Sequence, residues 1–347
     1  MKDECVDKEF NVQCNPRTGF CINHFRFVPI DLIDVAGLVP GAHEGKGMGN
    51  QFLDDLNEAD ALVQIIDISG RTDAEGNSVG SYDPEEDIKF LQNELDQWYL
   101  RIIKKGWDKF SRAVNQEHLD VKKAIAKQLS GLRVTEEMAV EAIDLLGLSK
   151  NPTQWSKENL LSLASELRKR SKPMIIAANK IDVNESKNNF ERLKNKYNIL
   201  PCSAEVELAL REATKSKIID YVPGESEFKI VKEVDEGKKK GLMFMKNFLK
   251  EFKTTGVQEI LNEVVFNLLG YISIYPGGVN KLEDKDGNVL HDCFLMREGS
   301  TALDFAYRLH TDFGKNFIRA IDVRTKRTVG KEHELKHNDV VEIVARV

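Results

Sequence analysis

The sequence predicts an α/β fold: a doubly wound, mostly parallel sheet, broken by a helical insertion and followed by a small α+β half-barrel. Three observations predict it. Apolar runs of strand length end in polar loop residues at Asp34, Asn179 and Ser203. A long stretch of helical periodicity lies between the early and the later strands. From Gly270 onward, short strand patterns surround a single helix.

Phe27, Val28, Ile30, Leu32 and Ile33 form an apolar approach that predicts a buried strand arriving at Asp34. Gly37 follows, with Gly41, Gly45, Gly47 and Gly49 close behind. Such a hand-over from strand to glycine-rich loop belongs at the carboxyl edge of a parallel sheet, where ligands bind. An aspartate ending the strand can hold Mg²⁺ through water, and a glycine three residues later lets its N–H approach a terminal phosphate. Asp34 is therefore the metal candidate and Gly37 the candidate sensor of a γ-phosphate. Asp-x-x-Gly alone is a weak pattern and needs partners.

The partners lie downstream. Pro173 to Ala178 predicts a second strand, ending in Asn179-Lys180-Ile181-Asp182. Tyr197 to Cys202 predicts a third, ending in Ser203-Ala204-Glu205. In that order, these loops suit the recognition of guanine. Guanine presents two adjacent N–H donors, and the Asp182 carboxylate can accept both. Adenine places an acceptor there, a mismatch that can weigh about 10⁴-fold. Lys180 would lie across the base, Asn179 would tie the loops together, and the Ala204 N–H would meet the guanine carbonyl. Ser203 and Glu205 complete the expected guanine-binding set.

With those residues placed, Asp34-Val35-Ala36-Gly37-Leu38-Val39-Pro40-Gly41-Ala42-His43-Glu44-Gly45 resembles the YchF branch of the Obg-like GTPases. Phe52-Leu53-Asp54-Asp55-Leu56 continues the likeness, and Thr301 to His310 resembles a TGS module. The resemblance implies a P-loop GTPase-like sheet, GTP or GDP with Mg²⁺ as ligands, and work around the ribosome or RNA. It makes the protein a guanine-nucleotide switch and, by family, a nucleoside-triphosphate hydrolase. The alternative from another class is a nucleotide-free RNA- or ribosome-binding adaptor using the TGS-like end. Many relatives carry an altered base motif associated with ATP, whereas Asn179-Lys180-Ile181-Asp182 is the guanine type. The family pattern also opens with a strand and a Gly-x-x-x-x-Gly-Lys-Ser/Thr loop, which this sequence lacks. We therefore expect the downstream portion of a larger GTPase, with weak nucleotide and Mg²⁺ binding and near-background hydrolysis. Leu38 stands where many GTPases carry a water-orienting glutamine, so no catalytic residue is assigned.

Composition narrows the classes. The 347 residues allow two or three domains, and 41% hydrophobic with 31% charged residues suits a globular chain. A net charge of −6 gives no bulk attraction to nucleic acid, so RNA contact needs a local patch. No apolar run approaches the roughly 18 residues of a membrane span. The five scattered cysteines predict no disulfide framework, and a cytoplasmic location is expected. Cys5, Cys14 and Cys21 cluster loosely, but their spacings match no tight Cys-x-x-Cys zinc knuckle, so a metal there is the minor reading.

In chain order, residues 1–20 read as a loop and Phe20 to Arg26 as a half-exposed strand, turning near Phe27 to Pro29. Asn50 opens a helix, and Ala61 to Ile68 is a buried strand. Pro84 opens another helix, whose Ile88, Leu91, Leu95, Trp98 and Ile102 form a coiled-coil-like seam. Thr135 and Ser156 are expected N-caps. Lys238, Lys239 and Lys240 read as a solvated face. Ser300 or Thr301 caps a helix with Leu303, Ala306, Tyr307 and His310 inward. His310 reads as a structural histidine, and Arg319, Arg324, Lys326, Arg327 and Lys331 as a basic rim. The expected domains are 1–84 with 156–220 (incomplete GTPase-like), 85–155 (helical insertion), 221–270 (linker and helix) and 271–347 (TGS-like).

Overall fold

The computed structural model describes residues 1–35, 56, 58–284 and 286–346. Gly37, Leu38, His43, the glycines through Gly49 and most of the helix expected from Asn50 lie outside the described residues. The chain forms two compact units: Leu32–Ser203, and Met1–Asp31 together with Ala204–Val347.

The first twenty residues are not all loop. β1 (Lys2–Glu4) and a 3₁₀ turn (Val6–Lys8) precede β2 (Phe20–Ile22) and β3 (Phe25–Phe27). The antiparallel order is β1–β3–β2. β1 has no apolar alternation to reveal it; pairing Lys2 with Phe27 makes it a strand. The Met1 ammonium also donates to the Val28 carbonyl at 2.7 Å. The hairpin reverses at Asn23-His24, not at Phe27 to Pro29. Their φ values of 50° and 62° form a two-residue turn of the mirror-image type that suits strand twist. Arg26 donates to the Leu290 and His291 carbonyls at 3.0 and 3.1 Å. The first 31 residues thus group with the C-terminal ones, where the sequence had grouped them with the nucleotide sheet.

The strand expected from Phe27 to Asp34 does not form. β3 ends at Phe27, residues 28–35 are irregular, and Leu32 and Ile33 are 72% and 44% exposed. A strand persists when a neighbour takes up its N–H and C=O groups, and no described strand lies beside this segment.

In the unit Leu32–Ser203, β4 (Leu62–Asp67), β5 (Met174–Asn179) and β6 (Ile199–Pro201) form a parallel sheet in that order. The register sets Asp67 opposite Asn179 and Ala178 opposite Pro201, which aligns the carboxyl ends. Between β4 and β5 run α1 (Pro84–Lys104), α2 (Trp107–Gln116), α3 (Val121–Gln128), α4 (Glu136–Leu145) and α5 (Lys157–Ser171). Thr135 caps α4, and Ser156 forms a reciprocal capping box with Asn159 on α5, as expected from sequence. The seam of α1 does not make a coiled coil, because α2 to α4 are too short to supply sustained heptads. Ile88, Leu95 and Trp98 are buried, and all five helices feed one core in which Trp107 stacks on Trp155 at 5.6 Å. Tyr99 bonds to Ser171 at 2.7 Å and Asp96 to Arg168 at 2.8 Å, which fastens α1 to α5. α6 (Ser186–Leu193) joins β5 to β6.

The second unit continues with α7 (Ala204–Lys215), the small hairpin β7 (Ile219–Asp220) and β8 (Lys229–Ile230), and α8 (Glu236–Phe252). α9 (Val257–Asn262) widens into a π-turn over Glu263–Leu268. β9 (Tyr271–Pro276), β10 (Phe294–Arg297), α10 (Ala302–Leu309), α11 (Thr311–Lys315), β11 (Phe317–Asp322), β12 (Arg327–Val329) and β13 (Asp339–Ala345) complete the chain. The sheet order is β10–β9–β13–β11–β12, with β9 and β13 parallel and the other pairs antiparallel. This is the expected mixed half-barrel. Thr301 caps α10 through a capping box with Asp304. The inner face is Ala302, Phe305 and Ala306, whereas Tyr307 and His310 are exposed. Phe305 sets that phase by packing edge-on against Phe294, with ring centroids 5.9 Å apart. His310 serves as a cap: its Nδ1 accepts the Asp312 N–H at 3.1 Å.

Candidate nucleotide-base site

The aligned carboxyl ends of β4, β5 and β6 bring three loops to one edge of the sheet. Loops at that edge are where parallel sheets bind ligands. The loop after β5 is held from both sides. Ile181 is buried, and its N–H donates to the Cys202 carbonyl at 3.2 Å. The Cys202 N–H in turn donates to the Ala178 carbonyl at 2.9 Å, so the β5 and β6 loops are laced together. Lys180 takes a left-handed φ of 65°, and its carbonyl accepts from the Val183 N–H at 3.1 Å and the Ser186 hydroxyl at 2.8 Å. These bonds close a tight turn around Asp182.

Asp182 carries the main chemical signal. Its Oδ1 is buried and has no hydrogen-bond partner. A buried carboxylate oxygen left unpaired costs several kcal/mol in order of magnitude. A planar ligand with adjacent N–H donors would satisfy it, so the residues present fit a guanine base. Cys202 lies beside this carboxylate; burial, with the Asp182 charge adding, pushes its thiol up to about 12. It therefore stays protonated, and its Sγ donates weakly toward Asn179 Oδ1 at 4.0 Å.

Sequence reasoning passed over Asp67. It ends β4, and its Oδ2 accepts from Lys180 Nζ at 2.6 Å and from the Thr72 hydroxyl at 2.7 Å. Its Oδ1 accepts from the Ser69 hydroxyl at 2.5 Å and the Ser69 N–H at 3.0 Å. Burial works against the Asp67 charge, but the bonds from Lys180, Ser69 and Thr72 outweigh it, and its pKa lies below the ordinary carboxylate value. The signal available was its place: an aspartate closing a parallel strand opposite Asn179. With its ammonium anchored on Asp67, Lys180 keeps an aliphatic stem free to cover a base.

The structure thus brings together Asn179, Lys180 and Asp182, with Ser203 fully buried just beyond β6. Ala204 and Glu205 open α7, which belongs to the other compact unit. Asp34 is exposed in the irregular segment, without the strand expected to present it. Gly37 lies outside the described residues.

Comparison with known proteins places the chain in a family. The family described as Obg-like GTPase YGR210-like, G4 motif-containing domain, matches residues 177–278, and the TGS domain matches residues 282–345. An uncharacterized GTP-binding protein of Methanocaldococcus jannaschii is 50% identical, over 98% of this chain and 87% of that protein. A ribosome-binding ATPase YchF of Buchnera aphidicola is 26% identical over 92% of this chain and 82% of its own length. The crystal structure of a GTP-binding protein from Pyrococcus horikoshii is similar with a TM-score of 0.78 and 40% identity, covering 99% of this chain and 91% of that one.

Proposed function

This chain belongs to the YchF/Obg-like family of GTP-binding proteins, and we propose that it is a guanine-nucleotide switch whose partner is the ribosome. The observation that carries the base reading is the buried, unpartnered Oδ1 of Asp182. Guanine N1–H and N2–H would bond to that carboxylate, whereas adenine would set an acceptor against it. The Lys180 stem would cover the base, Asn179 would brace the β5 and β6 loops, and the Ala204 N–H would meet the guanine carbonyl, with Ser203 and Glu205 completing the set. By family resemblance, Asp34 would hold Mg²⁺ and Gly37 would sense the terminal phosphate.

The ribosome enters through the relative named a ribosome-binding ATPase and through the TGS domain. A ribosomal partner implies a cytoplasmic location, and no helix among the described residues is long and apolar enough to cross a membrane. Two measurements test the reading. Calorimetry should show GDP binding more tightly than ADP by at least about 100-fold, the weight of two charge-assisted bonds. Equal affinities would remove the base assignment. Co-sedimentation with ribosomes should change between GDP and a non-hydrolysable GTP analogue at fixed salt; an unchanged fraction would leave an adaptor rather than a switch.

A further inference from the structure

Three cysteines meet in the N-terminal segment. Cys5 follows β1, Asp7 sits in the 3₁₀ turn, Cys14 lies in the following loop, and Cys21 is the middle residue of β2. The thiol sulfurs of Cys5, Cys14 and Cys21 and a carboxylate oxygen of Asp7 all lie within 4.8 Å of one another. We propose that Cys5, Cys14, Cys21 and Asp7 form a tetrahedral binding site for one Zn²⁺ ion, which holds the N-terminal sheet together.

The spacing suits the ion. With Zn–S near 2.3 Å and Zn–O near 2.0 Å, a tetrahedral site has edges of about 3.8 Å between sulfurs and about 3.5 Å from sulfur to oxygen. Cys5 Sγ and Cys14 Sγ are 3.5 Å apart, and Cys21 Sγ is 3.7 Å from Asp7 Oδ2. A disulfide needs about 2.05 Å between sulfurs. It would also account for only two of the four groups.

Asp7 is oriented as a ligand would be. Its side chain is fully buried; Oδ2 is held by the Cys14 N–H at 3.2 Å, and Oδ1 meets His24 Nδ1 at 2.9 Å. A histidine on the outer oxygen of a ligating carboxylate fixes its direction. Three thiolates and one carboxylate around Zn²⁺ leave an excess of negative charge. Arg26 answers it: this residue is 1% exposed and its Nε has no hydrogen-bond partner. Arg26 is also the β3 residue paired with Cys21.

The fold gives a reason for such a tie. β1, β2 and β3 have three residues each, and residues 9–19 contain neither helix nor strand. Cys5, Val6 and Cys14 pack into a core with Tyr275, Leu290 and Val340, and a closed metal site can tie the short strands together beside it. Four protein ligands leave no open position, so the site is structural. The buried thiol-rich donor set selects Zn²⁺ over Mg²⁺ or Ca²⁺, which take oxygen ligands.

The test uses the full chain, purified anaerobically. Elemental analysis should find about one zinc per chain, released with up to three protons taken up as the thiolates reprotonate. Co²⁺ added to the stripped protein should give thiolate charge-transfer absorption and intense tetrahedral ligand-field bands. Cys14→Ser and Cys21→Ser should lose the bands, Cys293→Ser should keep them, and His24→Ala should weaken Co²⁺ binding about 10–100-fold. Absence of the bands in the unaltered chain, with native circular dichroism, would overturn the site. So would a Cys5–Cys14 disulfide found by mass spectrometry in that preparation, or loss of the bands in Cys293→Ser as complete as in Cys14→Ser.

Discussion

Two segments of this chain carry the same kind of sequence and meet different fates. Met174 to Asn179 and Val28 to Asp34 are both apolar runs leading to a polar residue and a loop. The first is β5, flanked by β4 and β6, with Ile175 and Ala178 fully buried. The second is irregular, with Leu32 mostly exposed. The difference is the neighbour. Two flanking strands take up the backbone groups of β5 and bury its side chains, and the loop beyond it inherits a fixed position. Without a described neighbour, the apolar run before Asp34 leaves that carboxylate in an exposed coil.

The sharpest test of the ordered loop is chemical. Asp182→Asn removes the charge that would accept both guanine donors and should weaken GDP binding about 100-fold or more, while improving binding of xanthosine diphosphate. Calorimetry with both ligands measures it, and unchanged GDP affinity would separate the order of this loop from base reading.

Next in size is the core of β5. Ile175→Ala should destabilise the unit Leu32–Ser203 by about 2–5 kcal/mol, because a fully buried side chain leaves a cavity. Denaturant unfolding would show it as a lower midpoint.

A smaller effect follows from Asp67. Its folded pKa lies below its unfolded value, so its stabilisation is present above the unfolded carboxylate value of about 3.9 and is lost as pH falls through the folded pKa. Lys180→Met removes one of the bonds that favour the charge. The Asp67 titration, followed by carboxyl NMR, should then move toward higher pH, and acid unfolding should begin sooner. A titration unmoved by the substitution would show that Ser69 and Thr72 suffice.

The smallest change is expected at the contrasting segment. Leu32→Ala alters a side chain that is 72% exposed and should shift stability by no more than about 0.5 kcal/mol. A loss as large as that of Ile175→Ala would mean that the segment packs far more tightly than its exposure indicates.

Much of the candidate site was legible because it is written in short stretches. Asn179, Lys180 and Asp182 directly follow an apolar run, and turn chemistry within six residues shapes their loop, which Cys202 then ties to the end of β6. The caps Thr135, Ser156 and Thr301 were legible for the same reason: a cap and its partner lie three residues apart on one helix. The sequence by itself also determined the mixed half-barrel and its relation to TGS domains. Tertiary structure decided the rest. It paired polar Lys2–Glu4 with β3 and rotated α10 to bury Phe305 rather than Tyr307. It set Lys180 against Asp67, 113 residues away, and gathered Cys5, Asp7, Cys14 and Cys21 around one point. Periodicity and capping act within a few residues, so one stretch of chain displays them. The pairing of β1 with β3 and the Lys180–Asp67 ion pair depend on which separated segments fold side by side, and no single stretch contains that information.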